Sequence, residues 1–180
     1  MNAIPEGFKS MVPAILILTF AWTLKSMTDA LGAKEYVAGL VENIAENHAL
    51  MSILPAIVFL IGTILAFATG TSWGTFGILI PIVTTIFPAH SELFIIGISA
   101  CLAGAVCGDH CSPISDTTIM ASAGAQVEHV KHVSTQLPYA LTVAAVSFVT
   151  YIVAGLTKSP WISLPVGMAL MVLVLLIIKM

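Results

Sequence analysis

The sequence predicts an all-α integral membrane protein with about five to six transmembrane segments, and three observations lead there. Of its 180 residues, 58% are hydrophobic and 8% are charged, and the mean hydropathy is +1.05. A soluble domain carries about 25% charged residues, so the deficit alone decides the class. Apolar runs of membrane-crossing length recur along the chain, and two of them are interrupted by short polar stretches holding glycine or proline. Backbone groups in hydrocarbon must be bonded within the protein, which favours helices of about 20 residues for the crossings. The net charge is −3, from six lysines and no arginine against nine acidic residues. Nucleic acid as a partner is therefore excluded, because that needs clustered cationic side chains, and the lipid bilayer is the expected surrounding.

The first span is expected over Met11 to Leu31, ending near Gly32. No basic segment precedes it, as a secretory signal would require. Residues 32–49 carry Lys34, Glu35, Glu42 and Glu46, too many charges to cross. Their apolar positions Tyr36, Val37, Leu40, Val41 and Ile44 recur at helical spacing, as in a helix lying on the membrane surface. Leu50 to Thr69 is the next apolar run, followed by a Gly/Ser/Thr stretch and then by Phe76 to Phe87. The second arm is short for a crossing, so this region is either a re-entrant hairpin or one helix broken in the middle. Leu93 to Cys107 runs into a polar stretch and resumes as Thr117 to Ala125, the pattern of a discontinuous helix. Residues 126–134, with Glu128, His129, Lys131 and His132, read as a solvated polar link. Thr135 to Leu156 and Trp161 to Ile178 are two further spans joined by the turn Thr157-Lys158-Ser159-Pro160. The whole reads as a single transmembrane domain over 1–180. If Leu50 to Phe87 returns to its starting side, Lys9, Lys131 and Lys179 fall on one face and Lys34 and Lys158 on the other, and the positive-inside rule then puts the C-terminus in the cytoplasm.

The two polar interruptions carry the functional expectation. The first, Thr69 to Thr75, has hydroxyls and the glycines Gly70 and Gly74 but no charge. Freed carbonyls and hydroxyls such as those of Thr71 and Ser72 suit a small cation, and backbone N–H groups at a half-helix start suit an anion. The alternative is a kink in which the hydroxyls re-satisfy the backbone. The second, Gly108 to Thr118, adds formal charge: Asp109 and Asp116 lie on either side of Pro113, with Ser112, Ser115 and Thr117 between and after them. Gly108 and Pro113 are expected to break the helix. Ser115 or Asp116 could simply cap the helix that follows. Asp109 has no such role, and an isolated carboxylate in apolar surroundings is costly to keep charged. A site of this kind can hold H⁺ or Na⁺ in competition, which couples opposite fluxes if it faces one side at a time.

Other residues have ordinary readings. Cys101, Cys107 and Cys111 cluster around one apolar segment and read as small core side chains rather than a disulfide framework. Cys107, His110 and Cys111 are too tightly spaced, with no second ligand pair, for a zinc site. Lys25 and Asp29 form an i,i+4 pair at an interface, and Thr19, Trp22 and Thr23 could line a pathway. No base–nucleophile pair stands outside the second break, so neither an enzymatic activity nor a cofactor is expected, and no metal beyond transported Na⁺.

Five stretches resemble the NhaC-type Na⁺/H⁺ antiporter family: Ala68 to Phe76, Gly108 to Thr118, Thr135 to Ala140, Leu18 to Leu24 and Glu35 to Ala38. The resemblance implies cation-coupled secondary transport and an ion-transporter fold built from two inverted repeats, each with a hairpin and a broken helix. This chain supplies one of each, so it resembles the C-terminal half. Function would then need an N-terminal half or a second copy. The expected activity is Na⁺/H⁺ antiport at Asp109, Asp116, Ser112, Ser115, Thr117, Thr71 and Ser72, with Gly70, Gly74, Gly108 and Pro113 shaping the breaks. The family also includes exchangers of small carboxylates and amino acids, which is the second expectation. A non-transporting membrane subunit or fragment is the third.

Overall fold

The computed structural model describes residues 5–9, 12, 19–20, 23, 26–27, 30–32 and 48–179. Most of the expected first span, residues 33–47 of the surface segment and the pair Lys25 and Asp29 lie outside these residues, as does Trp22. Thr23 is described, and its hydroxyl donates to the Thr19 carbonyl at 2.8 Å.

Within residues 48–179 six helices follow one another: α1 (His48–Thr69), α2 (Ser72–Ile86), α3 (Phe94–Cys111), α4 (Asp116–Gly124), α5 (His129–Thr157) and α6 (Pro160–Lys179). No strand occurs among the described residues. Helices α1, α3, α5 and α6 are long and apolar enough to cross a membrane, while α2 has only 15 residues. The protein is therefore an all-α, multi-pass membrane protein. Prolines sit inside α1, α2, α5 and α6 at Pro55, Pro81, Pro138 and Pro165. Thr85 and Thr142, one turn beyond Pro81 and Pro138, donate their hydroxyls back to the proline carbonyls at 3.0 and 2.8 Å, so they stay bonded within their own helices.

The closest packing joins α1 to α3, and it runs parallel. A Cβ on Gly104 would collide with the Phe59 carbonyl, one on Gly108 with the Thr63 carbonyl, and one on Gly62 would lie 3.2 Å from the Ala105 nitrogen. Beyond them the Ser112 hydroxyl donates to the Phe67 carbonyl at 2.8 Å, 45 residues apart like Gly104 and Phe59 and like Gly108 and Thr63. Gly104 and Gly108 form a small-xxx-small stripe, which brings two backbones into contact where lipid leaves no hydrophobic force between helices.

Two parallel neighbours require an antiparallel return between them, and α2 supplies it. Phe87, fully buried at the end of α2, packs its ring against Gly97 in the first turns of α3. Leu50 to Phe87 is thus a hairpin with its tip at Gly70 and Thr71, not a through-helix. Helix α5 runs antiparallel to α3. Gln136 donates to the His110 carbonyl at 3.0 Å near one end, and Tyr151 and Ser99 share a hydrogen bond at 2.9 Å near the other. Gly155 of α5 rests directly on the Ser52 carbonyl of α1. The shared core is Leu54, Val58, Phe59, Val83, Phe87, Ile96 and Cys101, with the Tyr151 ring 5.4 Å from that of Phe59.

Lys158, in left-handed conformation at φ 52°, ends α5 and turns the chain into α6 as the expected tight turn. Its ammonium lies 3.5 Å from Glu92 on the surface. The polar link is shorter than expected. Helix α5 begins at His129 and takes in residues 129–134, because backbone bonding such as His132 N–H to the Glu128 carbonyl at 2.9 Å already has helical spacing there.

Gly104→Val should lower stability by about 3 kcal/mol or more, since the new side chain meets backbone rather than a movable side chain. Gly124→Ala, with nothing within 4 Å of the added carbon, should be neutral or slightly stabilising. Unfolding of both variants in detergent, followed by circular dichroism, checks this contrast.

Candidate functional site

The parallel register of α1 and α3 brings both polar breaks to one end of the bundle, where α5 begins. At the first break Gly70 adopts φ +67°, and Thr71 is extended. A Cβ on Gly70 would lie 2.7 Å from the Ile114 carbonyl of the second break. Glycine is needed here both for the left-handed backbone and for the close approach. The Thr75 hydroxyl donates to the Thr71 carbonyl at 3.0 Å, and Thr71, Ser72 and Thr75 are buried.

The second break is Ser112 to Ser115, and Pro113 causes it. Proline has no N–H to continue the helix, and it pushes the preceding residue out of helical conformation. Ser112 accordingly has ψ 128°. Its hydroxyl joins the two breaks by donating to the Phe67 carbonyl, and it also accepts the Ile114 N–H at 3.3 Å. Ser115 caps α4 by accepting the Thr118 N–H at 3.3 Å, three residues on, as an N-cap does. Each break therefore presents one helix C-terminus, rich in free carbonyls, and one helix N-terminus, rich in free N–H groups.

Asp109 lies in the last turns of α3 and is 3% exposed. Its Oδ2 accepts the Thr117 hydroxyl at 3.3 Å, and its Oδ1 is buried with no hydrogen-bond partner among the described residues. Thr117 Oγ1 also pairs with Ser115 Oγ at 2.8 Å, and the Thr117 N–H donates to Asp116 Oδ1 at 2.7 Å. Thr117 is thus the junction that brings Asp109, Ser115 and Asp116 together. Asp116 is half-buried, and its charge at the start of α4 complements the helix dipole.

The remaining expected residues are placed differently. Ser112 faces the hairpin rather than Asp109. Thr71 and Ser72 are buried at the hairpin tip, but among the described residues no hydrogen bond joins them to either aspartate. Gly74 and Gly108 do not shape the breaks: Gly74 lies within α2 and Gly108 within α3. Helical bonding persists to Cys111 because the interruption comes only at Pro113, and Gly108 serves the contact with Thr63 of α1 instead. His110 turns its Nδ1 onto the Val106 carbonyl at 2.8 Å, within its own helix.

Two residues of the site escape the sequence reading. His129 bonds through Nε2 to the Pro113 carbonyl at 2.6 Å and through Nδ1 to Ser122 Oγ at 3.1 Å. Gln136 reaches the His110 carbonyl. His129 sits in the stretch that composition marks as a solvated link, where no local pattern distinguishes it, while Gln136 falls in the family-resembling stretch Thr135 to Ala140 with nothing local to give its partner.

The sequence profile of the Na⁺/H⁺ antiporter family matches residues 1–156. The chain belongs to that family. Among curated relatives of this antiporter-family chain, an uncharacterised protein of Haemophilus influenzae is 50% identical over 154 residues, covering 85% of this chain and 29% of the relative. The malate-2H⁺/Na⁺-lactate antiporter of Bacillus subtilis is 31% identical over 158 residues, 86% of this chain and 32% of that protein. An uncharacterised Na⁺/H⁺ antiporter of Haemophilus influenzae is 29% identical over 160 residues, 87% of this chain and 32% of that protein. The chain thus spans roughly a third of the length of these relatives. No solved structure matches it.

Gly70→Ala should destabilise the hairpin tip by about 2 kcal/mol or more, from left-handed strain and the approach to Ile114. Ser112→Ala should cost about 1 kcal/mol through the lost bond to Phe67. Thermal unfolding of the two variants in nanodiscs gives the comparison, with Gly70→Ala expected to be the less stable.

Proposed function

We propose that this chain is part of a secondary active transporter that exchanges Na⁺ for H⁺ at Asp109, working with a further half of the transport unit. The observation that carries the reading is Asp109 Oδ1, buried and without a hydrogen-bond partner among the described residues. A buried carboxylate oxygen without a donor is costly. A proton or a desolvated cation removes that cost, and only one of them can occupy the oxygen at a time. Thr117 and Ser115 add hydroxyl oxygens beside it, and Asp116 adds negative charge through Thr117. Carbonyls freed at the ends of α1 and α3 complete an oxygen-rich surrounding of the kind hard cations prefer. Thr71, Ser72 and Ser112 shape the hairpin side of this site, with Gly70 and Pro113 holding the breaks open.

The other half is an inverted counterpart of this hairpin and broken helix, supplied by further sequence of the transporter or by a second copy. Membership of an antiporter family supports transport rather than enzymatic chemistry. Lys131, in the first turns of α5, marks the end of the bundle that holds the breaks, and the positive-inside rule assigns that end and the end of α6 to the cytoplasmic face of the cell membrane.

A second reading is exchange of small carboxylates coupled to Na⁺ or H⁺. The name of the Bacillus subtilis relative, which joins malate, lactate, protons and sodium, favours it. The N-termini of α2 and α4, one at each break, would suit a carboxylate group.

Na⁺-dependent thermal stabilisation of the purified chain in nanodiscs, with K⁺ as control, tests the first reading. Na⁺ should raise the melting temperature, and its half-saturating concentration should rise about tenfold per unit fall in pH when one proton is displaced. Asp109→Asn should abolish the response, and a variant that Na⁺ stabilises as well as the parent would reject the role of Asp109. Stabilisation by lactate or malate, but not by NaCl, would select the second reading.

A further inference from the structure

Helix α4 is held in an unusual way. It has nine residues, shorter than the roughly 12–15 at which an isolated helix becomes even marginal. Its neighbours should stabilise it, yet its apolar side chains Ile119 and Met120 are exposed. The side chains it buries are polar: Thr118 and Ser122, four residues apart on one face. Polar ties rather than apolar burial therefore fix its position.

His129 makes two of those ties. A carbonyl can only accept, so His129 Nε2 carries the proton and donates to Pro113 O at 2.6 Å. The other ring nitrogen meets Ser122 Oγ at 3.1 Å. One imidazole thus spans the two ends of the segment 113–122, which contains Ser115, Asp116 and Thr117. Among the described residues no other side chain of α5 hydrogen-bonds to that segment. Thr117, on α4, provides the hydrogen bond to Asp109 Oδ2.

We infer that His129 is a positioning residue of the cation site: by stapling Pro113 to Ser122 it holds α4 so that Thr117 stays on Asp109. The inference rests on the proposed cation site for its functional consequence, but the staple itself is a mechanical property that can be measured separately. When α4 shifts, Asp109 loses its hydroxyl neighbours, and cation affinity falls while the rest of the bundle keeps its fold. A glutamine side chain in place of the imidazole puts an amide nitrogen near the Nε2 position and keeps the donor to Pro113. His129→Gln should therefore restore what His129→Leu removes.

Two readouts on the full chain in nanodiscs test this. The first is hydrogen–deuterium exchange of residues 116–124 against α1. His129→Leu should speed exchange in α4 about tenfold with α1 unchanged, as expected for the loss of one or two hydrogen bonds. Ser122→Ala should show a smaller increase, and His129→Gln should lie within about threefold of the parent. The second is the half-saturating Na⁺ concentration for thermal stabilisation. It should rise about tenfold in His129→Leu, return with His129→Gln, and stay unchanged in Lys158→Gln at the opposite end of the bundle. Unchanged α4 exchange in His129→Leu would overturn the staple. Faster exchange with an unchanged Na⁺ response would overturn its role in positioning. If the parent chain shows no response to Na⁺ while His129→Leu loosens α4, the staple stands and the proposed cation site fails.

Discussion

The close parallel contact between α1 and α3 governs the whole bundle. Lipid tails are as apolar as leucine, so two membrane helices associate through packing and hydrogen bonds rather than through hydrophobic exclusion. Here Gly62, Gly104 and Gly108 remove every side-chain atom that would separate the backbones. The constant 45-residue register then carries on from these glycines to Ser112 and Phe67. That register makes the hairpin and the broken helix terminate at the same level. It also obliges α2 to run back between two parallel neighbours, which is why Phe87 meets Gly97. Helix α5 fits against the pair from outside, with Gly155 on Ser52 and Tyr151 on both Phe59 and Ser99.

The chemistry at that end follows from what is left unsatisfied. Helical bonding is exhausted at Thr69 and at Cys111, so carbonyls are freed close to one another, while α2 and α4 present fresh N–H groups. Ser115 and Ser112 satisfy part of this by capping and cross-bonding. Asp109 does not: one oxygen has Thr117, and the other has no hydrogen-bond partner among the described residues. That cost is what the proposed proton or cation would relieve. Membership of the Na⁺/H⁺ antiporter family is consistent with an exchangeable cation there. Helix α4, which carries Thr117, is short and held by polar contacts, so the arrangement around Asp109 depends on a few hydrogen bonds.

Much of this is legible in the residues. Composition alone makes the protein a membrane protein, and the recurrence of apolar runs locates α1, α3 and α6 to within a few residues and α5 except for its polar first turns from His129. The costs of placing Asp109 and Pro113 after an apolar run mark the second break. The departures are of one kind. Gly74 and Gly108 have the local look of helix breakers, but glycine between helix formers remains helical when a neighbouring backbone needs the space, and Gly108 lies against Thr63 for that reason. His129 reads as solvated because its partners, Pro113 and Ser122, belong to another element.

Hydropathy, proline geometry and the cost of buried charge are local properties. They suffice for the class, the helix-forming segments and the presence of an interruption at Pro113 flanked by Asp109 and Asp116, with no knowledge of how the helices pack. Four outcomes are of another kind: that Leu50 to Phe87 is a hairpin, that the two breaks touch through Ser112 and Gly70, that Thr117 rather than Ser72 serves Asp109, and that His129 reaches back to the break. The first two depend on which backbones approach one another, set by glycines whose partners lie tens of residues away, and the last two on how the chain folds back after Pro113 to bring α4 against α3 and α5.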